Sequence, residues 1–165
     1  MDEYITLISK SKKEHKILKK YAVLSQKIMQ KYQENIRKTD PILLLEINDN
    51  TLVKILEFLE YLKGEAPKQE IKKPITTNNL TLIVDDPYWV KYVDELSQEM
   101  LFEITEIANF LEIECLVDLC TIKIACICFN KNEEELFKAL GIKENFTEEE
   151  RAKIREENKW IEENL

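Results

Sequence analysis

Four cysteines, one histidine and two runs of glutamate are the side chains of this sequence that could do chemistry. The cysteines stand at 115, 120, 126 and 128. Thiolates hold zinc or attack carbonyls when correctly spaced. Cys126 and Cys128 are two positions apart, which on a helix points their thiols about 200° apart, so they cannot share one zinc. Cys120 and Cys128 face more alike but lack a full ligand set. Reduced, buried thiols that pack as small apolar groups are the expectation. His15, beside Glu14, could act as a general base, yet no serine or cysteine stands near it in an elbow motif. A solvated surface histidine is expected. Glu133 to Glu135 and Glu148 to Glu150 could hold a cation, but carboxylates at helix starts usually complement the dipole. Asn79-Leu80-Thr81 and Asn145-Phe146-Thr147 fit the glycosylation acceptor pattern and are expected as chance matches. With no nucleophile–base constellation the reading is non-enzymatic, and it implies no cofactor and no metal.

The scaffold around these residues is helical in character. Of 165 residues, 44% are apolar and 34% charged, with only two glycines and four prolines. That supplies a real core and few tight turns, so the expected class is α+β, mainly helical with a small sheet. Net charge is −8, which argues against nucleic acid as the general partner. Residues 1–38 nevertheless carry ten Lys or Arg against four Asp or Glu. A solvated basic face is expected, with a polyanion-binding arm as the alternative. The sequence starts acidic with no apolar run behind it, and no stretch approaches the roughly 20 residues of a membrane span. A cytoplasmic or nuclear protein without membrane contact is expected.

Tyr4 to Ile8 reads as a strand, Ser9 to Glu14 as a turn, and Lys16 to Lys20 as a short second strand. Tyr21, Leu24, Ile28 and Tyr32 recur at helical spacing, and Thr39-Asp40-Pro41 breaks that helix. Ile42 to Ile47 has strand length. Asn48, Asp49 and Asn50 offer caps for an amphipathic helix through Leu62 that stops near Gly64. Residues 65–86 form a polar loop and connection, with Leu80 to Val84 as strand or loop. Trp89, Val93 and Leu96 suit one helix, and Met100 through Leu111 the next. Residues 116–129 are different: Asp118 and Lys123 are the only charges, and apolar positions cover most of the circumference. Such a helix needs cover on both sides, and in a small chain one cover can be another protein. Asn132 and Thr147 open two more helices, the latter with a capping-box pattern to Glu150. Gly141 suits a left-handed cap. The last helix is nearly all charged apart from Ala152, Ile154, Trp160 and Ile161.

At this point the residues resemble a known family, the S-phase-kinase-associated adaptors that bind F-box proteins in SCF ubiquitin ligases. Asn145-Phe146-Thr147-Glu148-Glu149-Glu150 followed by Arg155-Glu156-Glu157-Asn158-Lys159-Trp160 is similar to the family's N-D-F-T-E-E-E and R-x-E-N-x-W. Leu101-Phe102-Glu103-Ile104 and Ala108 to Ile113 resemble its L-F-E-L and A-N-Y-L-D-I. From Pro87 onward the spacing needs no gap, and residues 41–58 also fit. The first 40 match loosely, and the 65–86 loop hardly at all.

The resemblance implies a BTB/POZ domain over 1–129, a small sheet packed with helices, and a C-terminal F-box-binding helical extension over 130–165. It implies an adaptor that joins an F-box protein to a cullin in ubiquitin-dependent degradation. Its F-box face would use Leu116, Val117, Thr121, Ile124 and Cys128, then Phe137, Ile142, Phe146 and Trp160, with Trp160 as anchor. Its cullin contact would use Asn109 and Phe110. The family has Asn-Tyr there, so Phe110 keeps the ring and loses the hydroxyl. The loop before the middle strand, usually acidic in the family, reads Arg37-Lys38-Thr39-Asp40. The same departures motivate an alternative: an F-box-partner adaptor outside the ligase, in a kinetochore or ATPase-assembly complex. Self-association of the free chain through its exposed apolar face is left open.

Overall fold

A computed structural model describes residues 3–66, 75–142 and 147–159. Residues divide into two compact units, Met1–Phe129 and Asn130–Leu165. Among the described residues there are eight α-helices and one three-stranded sheet.

The sheet of the first unit runs β2-β1-β3. Strand β1, Tyr4–Ile8, pairs antiparallel with β2, Glu14–Leu18, in the register Tyr4↔Leu18 to Ile8↔Glu14. Alternation sends Ile5 and Leu7 inward and Tyr4 outward, as a half-buried strand requires. β2 starts two residues before the predicted strand, and Lys19 and Lys20 already belong to α1, Lys19–Ala22. β3 is only Ile42–Leu43, parallel to β1. The predicted run to Ile47 bends instead: Leu44 N still donates to Ile8 O, and then Ile47 N turns back to Leu44 O.

The predicted helix over 21–32 is two helices. α1 ends at Ala22, and Ser25 caps α2, Gln26–Glu34: its Oγ accepts from Ile28 N at 3.2 Å and donates to Leu111 O at 2.6 Å. That carbonyl belongs to a helix end, so one buried hydroxyl satisfies a cap and an orphan acceptor together. The other end of α2 is held by Lys38, whose ammonium donates to the carbonyls of Tyr32, Gln33 and Asn35 at 3.0, 2.9 and 3.2 Å. Lys19 and Lys38 also lie over the Tyr32 ring, 4.7 and 5.1 Å from its centroid. Two of the ten basic side chains in residues 1–38 are thereby engaged in the fold.

Helix α3, Asp49–Leu62, carries Leu52, Ile55, Phe58 and Leu59 into the core. It ends through Lys63 at φ 51 and Gly64 at φ 80. A Cβ at Gly64 would stand 1.9 Å from the Lys20 carbonyl oxygen, so only glycine fits this crossing. Residues 67–74 of the predicted loop lie outside the described residues. Leu80–Leu82 is one turn of 3-10 helix rather than strand. Asp86 caps α4, Pro87–Asp94, and Ser97 caps α5, Gln98–Phe110. Phe58 meets Trp89 and Tyr92 with ring centroids 5.5 and 5.2 Å apart. α6, Glu114–Cys128, packs against α5 and α4.

The second unit contains α7, Glu133–Leu140, and α8, Glu148–Glu157. Both open with a reciprocal capping box, Asn132 with Glu135 and Thr147 with Glu150, and Gly141 closes α7 at φ 66. Neither helix buries a residue.

Candidate partner-binding faces

The turn from α5 to α6 fixes the most telling helix. Leu111 ends α5, Glu112 takes the left-handed conformation at φ 55, and Ile113 N returns to Ala108 O at 2.9 Å. This αL closure satisfies the last carbonyls of α5 and launches α6 almost at once. Along α6, Leu116, Leu119, Cys120, Ile122 and Cys126 are buried. Lys123 leaves the core sideways and pairs with Asp94 at 2.6 Å.

Val117, Thr121, Ile124 and Cys128 fall on the other side, within an arc of about 60° at 100° per residue. Thr121 is exposed and the other three are half-buried. These four of the expected F-box residues share one outward stripe. Leu116, expected in the same set, is turned away from this stripe. It lies about 100° away from Val117 round the helix and has no exposed surface, because it belongs to the inward stripe against α5. It supports the stripe from behind. In the second unit, Phe137 is half-buried on α7 and Ile142, just past its cap, is 50% exposed. Phe146 and Trp160 lie outside the described residues.

Asn109 and Phe110 end α5 on the surface. Phe110 borders a hollow of about 260 Å³ lined also by Lys31, Leu43, Leu44, Leu45, Glu46 and Ile47. Phe110, Leu43 and Leu45 are 40, 54 and 49% exposed, while Ile42 and Leu44, which alternate with the two leucines, are buried. Sequence reasoning gave the Ile42 to Ile47 run strand length and did not single out this patch. Period-two alternation within the run was the available signal. A second hollow, about 470 Å³, is lined by Gln26, Asn109, Glu112, Ile113, Glu114, Val117 and Asp118.

Among the described residues, the chemistry-bearing side chains are engaged in packing and in one hydrogen-bonded cluster. His15 is a correction: its side chain is 8% exposed rather than solvated, and its Nε2 lies 3.1 Å from Asp49 Oδ1. Ser9 and Ser11 donate their hydroxyls to the same carboxylate. Ser, His and Asp are thus together, but the hydroxyls point to Asp49 and not to the imidazole, so no base is aimed at a nucleophile. The cluster clasps the β1–β2 hairpin to the start of α3. The hydroxyls of Ser11 and Ser9, then His15, hold the Asp49 carboxyl down at about 2. Burial pushes the thiols of Cys115 and Cys120 up to about 11 and about 12, which removes their nucleophilic form. Among the described residues, no three His, Cys, Asp or Glu stand together as a metal set. No described helix is long and apolar enough to cross a membrane. What the arrangement offers is surface: an apolar stripe, an apolar patch and two hollows.

Comparison with known proteins gives these surfaces a context. The family model described as the Skp1 family, dimerisation domain, matches residues 114–161, the span from α6 through α8. The S-phase kinase-associated protein 1 homolog of Tetrahymena thermophila is 45% identical over 130 residues, covering 79% of this chain and 77% of that protein. The E3 ubiquitin ligase complex SCF subunit sconC of Arthroderma benhamiae is 35% identical over 124 residues, 75% of this chain and 74% of the relative. The suppressor of kinetochore protein 1 of Schizosaccharomyces pombe is 33% identical over 127 residues, 74% of each.

Proposed function

This chain belongs to the Skp1 family, and from that membership we propose that it is the adaptor subunit of an SCF-type E3 ubiquitin ligase. In this role it performs no catalysis. It holds an F-box protein on one face and a cullin on another, and its first unit is read as a BTB/POZ domain.

The observation that carries the reading is the outward stripe of α6 followed by two helices that bury nothing of their own. A helix of ten residues is marginal in water on propensity alone. Its stability must come from apolar contact, and α8 has too little apolar surface to supply that from its own sequence. A docked F-box supplies it. Val117, Thr121, Ile124 and Cys128 form the first part of that contact, and Phe137, Ile142, Phe146 and Trp160 continue it. Trp160 is the anchor, since one large aromatic buries roughly 150–250 Å². The joint interface exceeds about 1,600 Å² and is more apolar than a transient one.

The cullin face is centred on Asn109 and Phe110 and extends over Leu43 and Leu45. Those three apolar side chains surround a hollow large enough to take a partner's aliphatic side chain. Affinity purification from the native cell tests the whole reading: F-box proteins and a cullin should be recovered together. Recovery of neither overturns it. A second reading keeps the F-box partner and drops the cullin. It is favoured by Phe110, which lacks a hydroxyl, and by the basic Arg37 and Lys38 in the sequence before β3. F-box proteins recovered without any cullin would select it.

A further inference from the structure

Resting on the reading that a cullin covers Leu43, Leu45 and Phe110, we propose that the tip of the β1–β2 hairpin is a basic shoulder of that face and takes an acidic segment of the same cullin. Lys10, Lys12 and Lys13 form the tip, Lys16 follows on β2, and all four are exposed. Among the described residues none of the four forms an ion pair, in a chain that carries 32 Asp and Glu. The nearby carboxylates are directed elsewhere. Asp49 takes the hydroxyls of Ser9 and Ser11 and faces His15, and Glu14 and Glu46 are exposed.

The shoulder is continuous with the apolar patch. Leu44 N donates to Ile8 O at 2.8 Å and Lys10 N donates to Ile47 O at 2.9 Å, so residues 8–10 run beside 44–47. Ile47 lines the hollow that Leu43, Leu45 and Phe110 border, and Lys31 adds a cation to its lining. Ile5, Leu7 and Ser9 are buried, which places Ile8 and Lys10 on the opposite face of the sheet. Ile8 stands beside Leu43 in the parallel register, so Lys10 shares the face that carries Leu43. The tip is also held before any partner arrives. Ser9 N donates to Lys13 O at 3.1 Å and Lys12 N to Ser9 O at 2.9 Å. Lys12 turns the chain at φ 67, a conformation that costs lysine energy and suits glycine.

The chemistry of the occupant follows from what the tip holds and lacks. Clustered ammonium groups repel one another, and carboxylates across an interface relieve that repulsion. Between Lys10 and Lys16 there is no Phe, Tyr or Trp to stack a base, no Arg to fork a phosphate and no exposed apolar side chain to enter a bilayer. A run of Asp or Glu on a protein that already seats on the patch meets these terms.

The test uses the full chain and the cullin recovered with it, titrated by calorimetry. K10Q/K12Q/K13Q changes only exposed side chains and should fold normally, checked by its melting curve. Its Kd for cullin should rise roughly three- to thirtyfold near 50 mM salt, and the gap should close near 1 M. Its affinity for an F-box protein should not change. Carbodiimide treatment of the native complex should join Lys10, Lys12 or Lys13 to an Asp or Glu of the cullin. Unchanged cullin affinity at low salt overturns the shoulder, and so does a loss that persists at 1 M. Normal cullin binding with lost retention on heparin overturns it by giving the tip to a polyanion. L43A/L45A separates the two levels. If it weakens cullin binding and K10Q/K12Q/K13Q does not, only the shoulder fails. If L43A/L45A binds cullin normally, or no cullin is recovered, the underlying face fails and the shoulder with it.

Discussion

Leu43, Leu44 and Leu45 are three identical side chains in a row that face alternate ways, and they provide an internal control for the proposed cullin face. Leu43 and Leu45 are 54 and 49% exposed, and Leu44 is 3% exposed. Fully burying a leucine is worth about 1.5–3 kcal/mol. Roughly half of each outer leucine remains to be covered by a partner, so each offers about 1 kcal/mol. The double variant L43A/L45A should therefore lose about 2 kcal/mol of cullin affinity, a roughly 30-fold rise in Kd. Leu44→Ala should instead lose about 2–5 kcal/mol of folding stability. Calorimetric titration with a cullin N-terminal region, paired with urea melts of each variant, reads both quantities. F-box affinity of L43A/L45A should stay at the native value. The reasoning fails if L43A/L45A binds cullin within threefold of the native chain while its fold is intact.

Acid should probe the hairpin clasp. The Asp49 carboxyl titrates at about 2 when folded, below the roughly 3.9 of an unfolded aspartate, so its contribution is fully present above pH 4. That contribution fades as pH falls through the folded value, and urea melts should show the gap between native and D49N chains closing from pH 5 to pH 2. Gly64→Ala and Gly141→Ala form a matched pair, both at positive φ. The first meets the Lys20 carbonyl oxygen at 1.9 Å and the second meets nothing within 4 Å. Gly141→Ala should lose only the left-handed penalty of about 1–2 kcal/mol, while Gly64→Ala should lose clearly more, read as the fall in Tm. Thiol labelling should find Cys120 inert in the native chain, since it is buried with its thiol raised to about 12. Cys128 should label, and an F-box partner should slow that labelling; unchanged labelling would count against Cys128 in the interface.

Element type was legible where one period dominated. β1 shows its alternation within five residues, and the glutamates after Asn132 and the capping-box pattern from Thr147 to Glu150 announce α7 and α8 by side-chain chemistry alone. The break at Ser25 was hidden because Tyr21, Leu24, Ile28 and Tyr32 keep helical spacing across it. The reason for the break is a carbonyl 86 positions away, at Leu111, and no local pattern carries that information. β3 stops early for a similar reason: its pairing is limited by the length of β1 and by the turn at Ile47, not by its own propensity. For the partner faces, the apolar circumference of α6 singled out one helix. It could not say which of Leu116 and Val117 turns inward, because two neighbouring aliphatic residues differ only by 100° of rotation. His15 was misjudged because its lysine-rich surroundings in sequence are replaced in the fold by Asp49, Ser9 and Ser11.

The reciprocal caps on α7 and α8 have a consequence for the speed of encounter. Helices of eight and ten residues carry a costly nucleus, and a chain that has not formed its first turn presents its apolar side chains on no common face. Closing the first turn by Asn132 with Glu135, and by Thr147 with Glu150, favours that nucleus before any partner arrives. An approaching surface then meets a formed apolar side. Removing either cap should slow capture more than it hastens release.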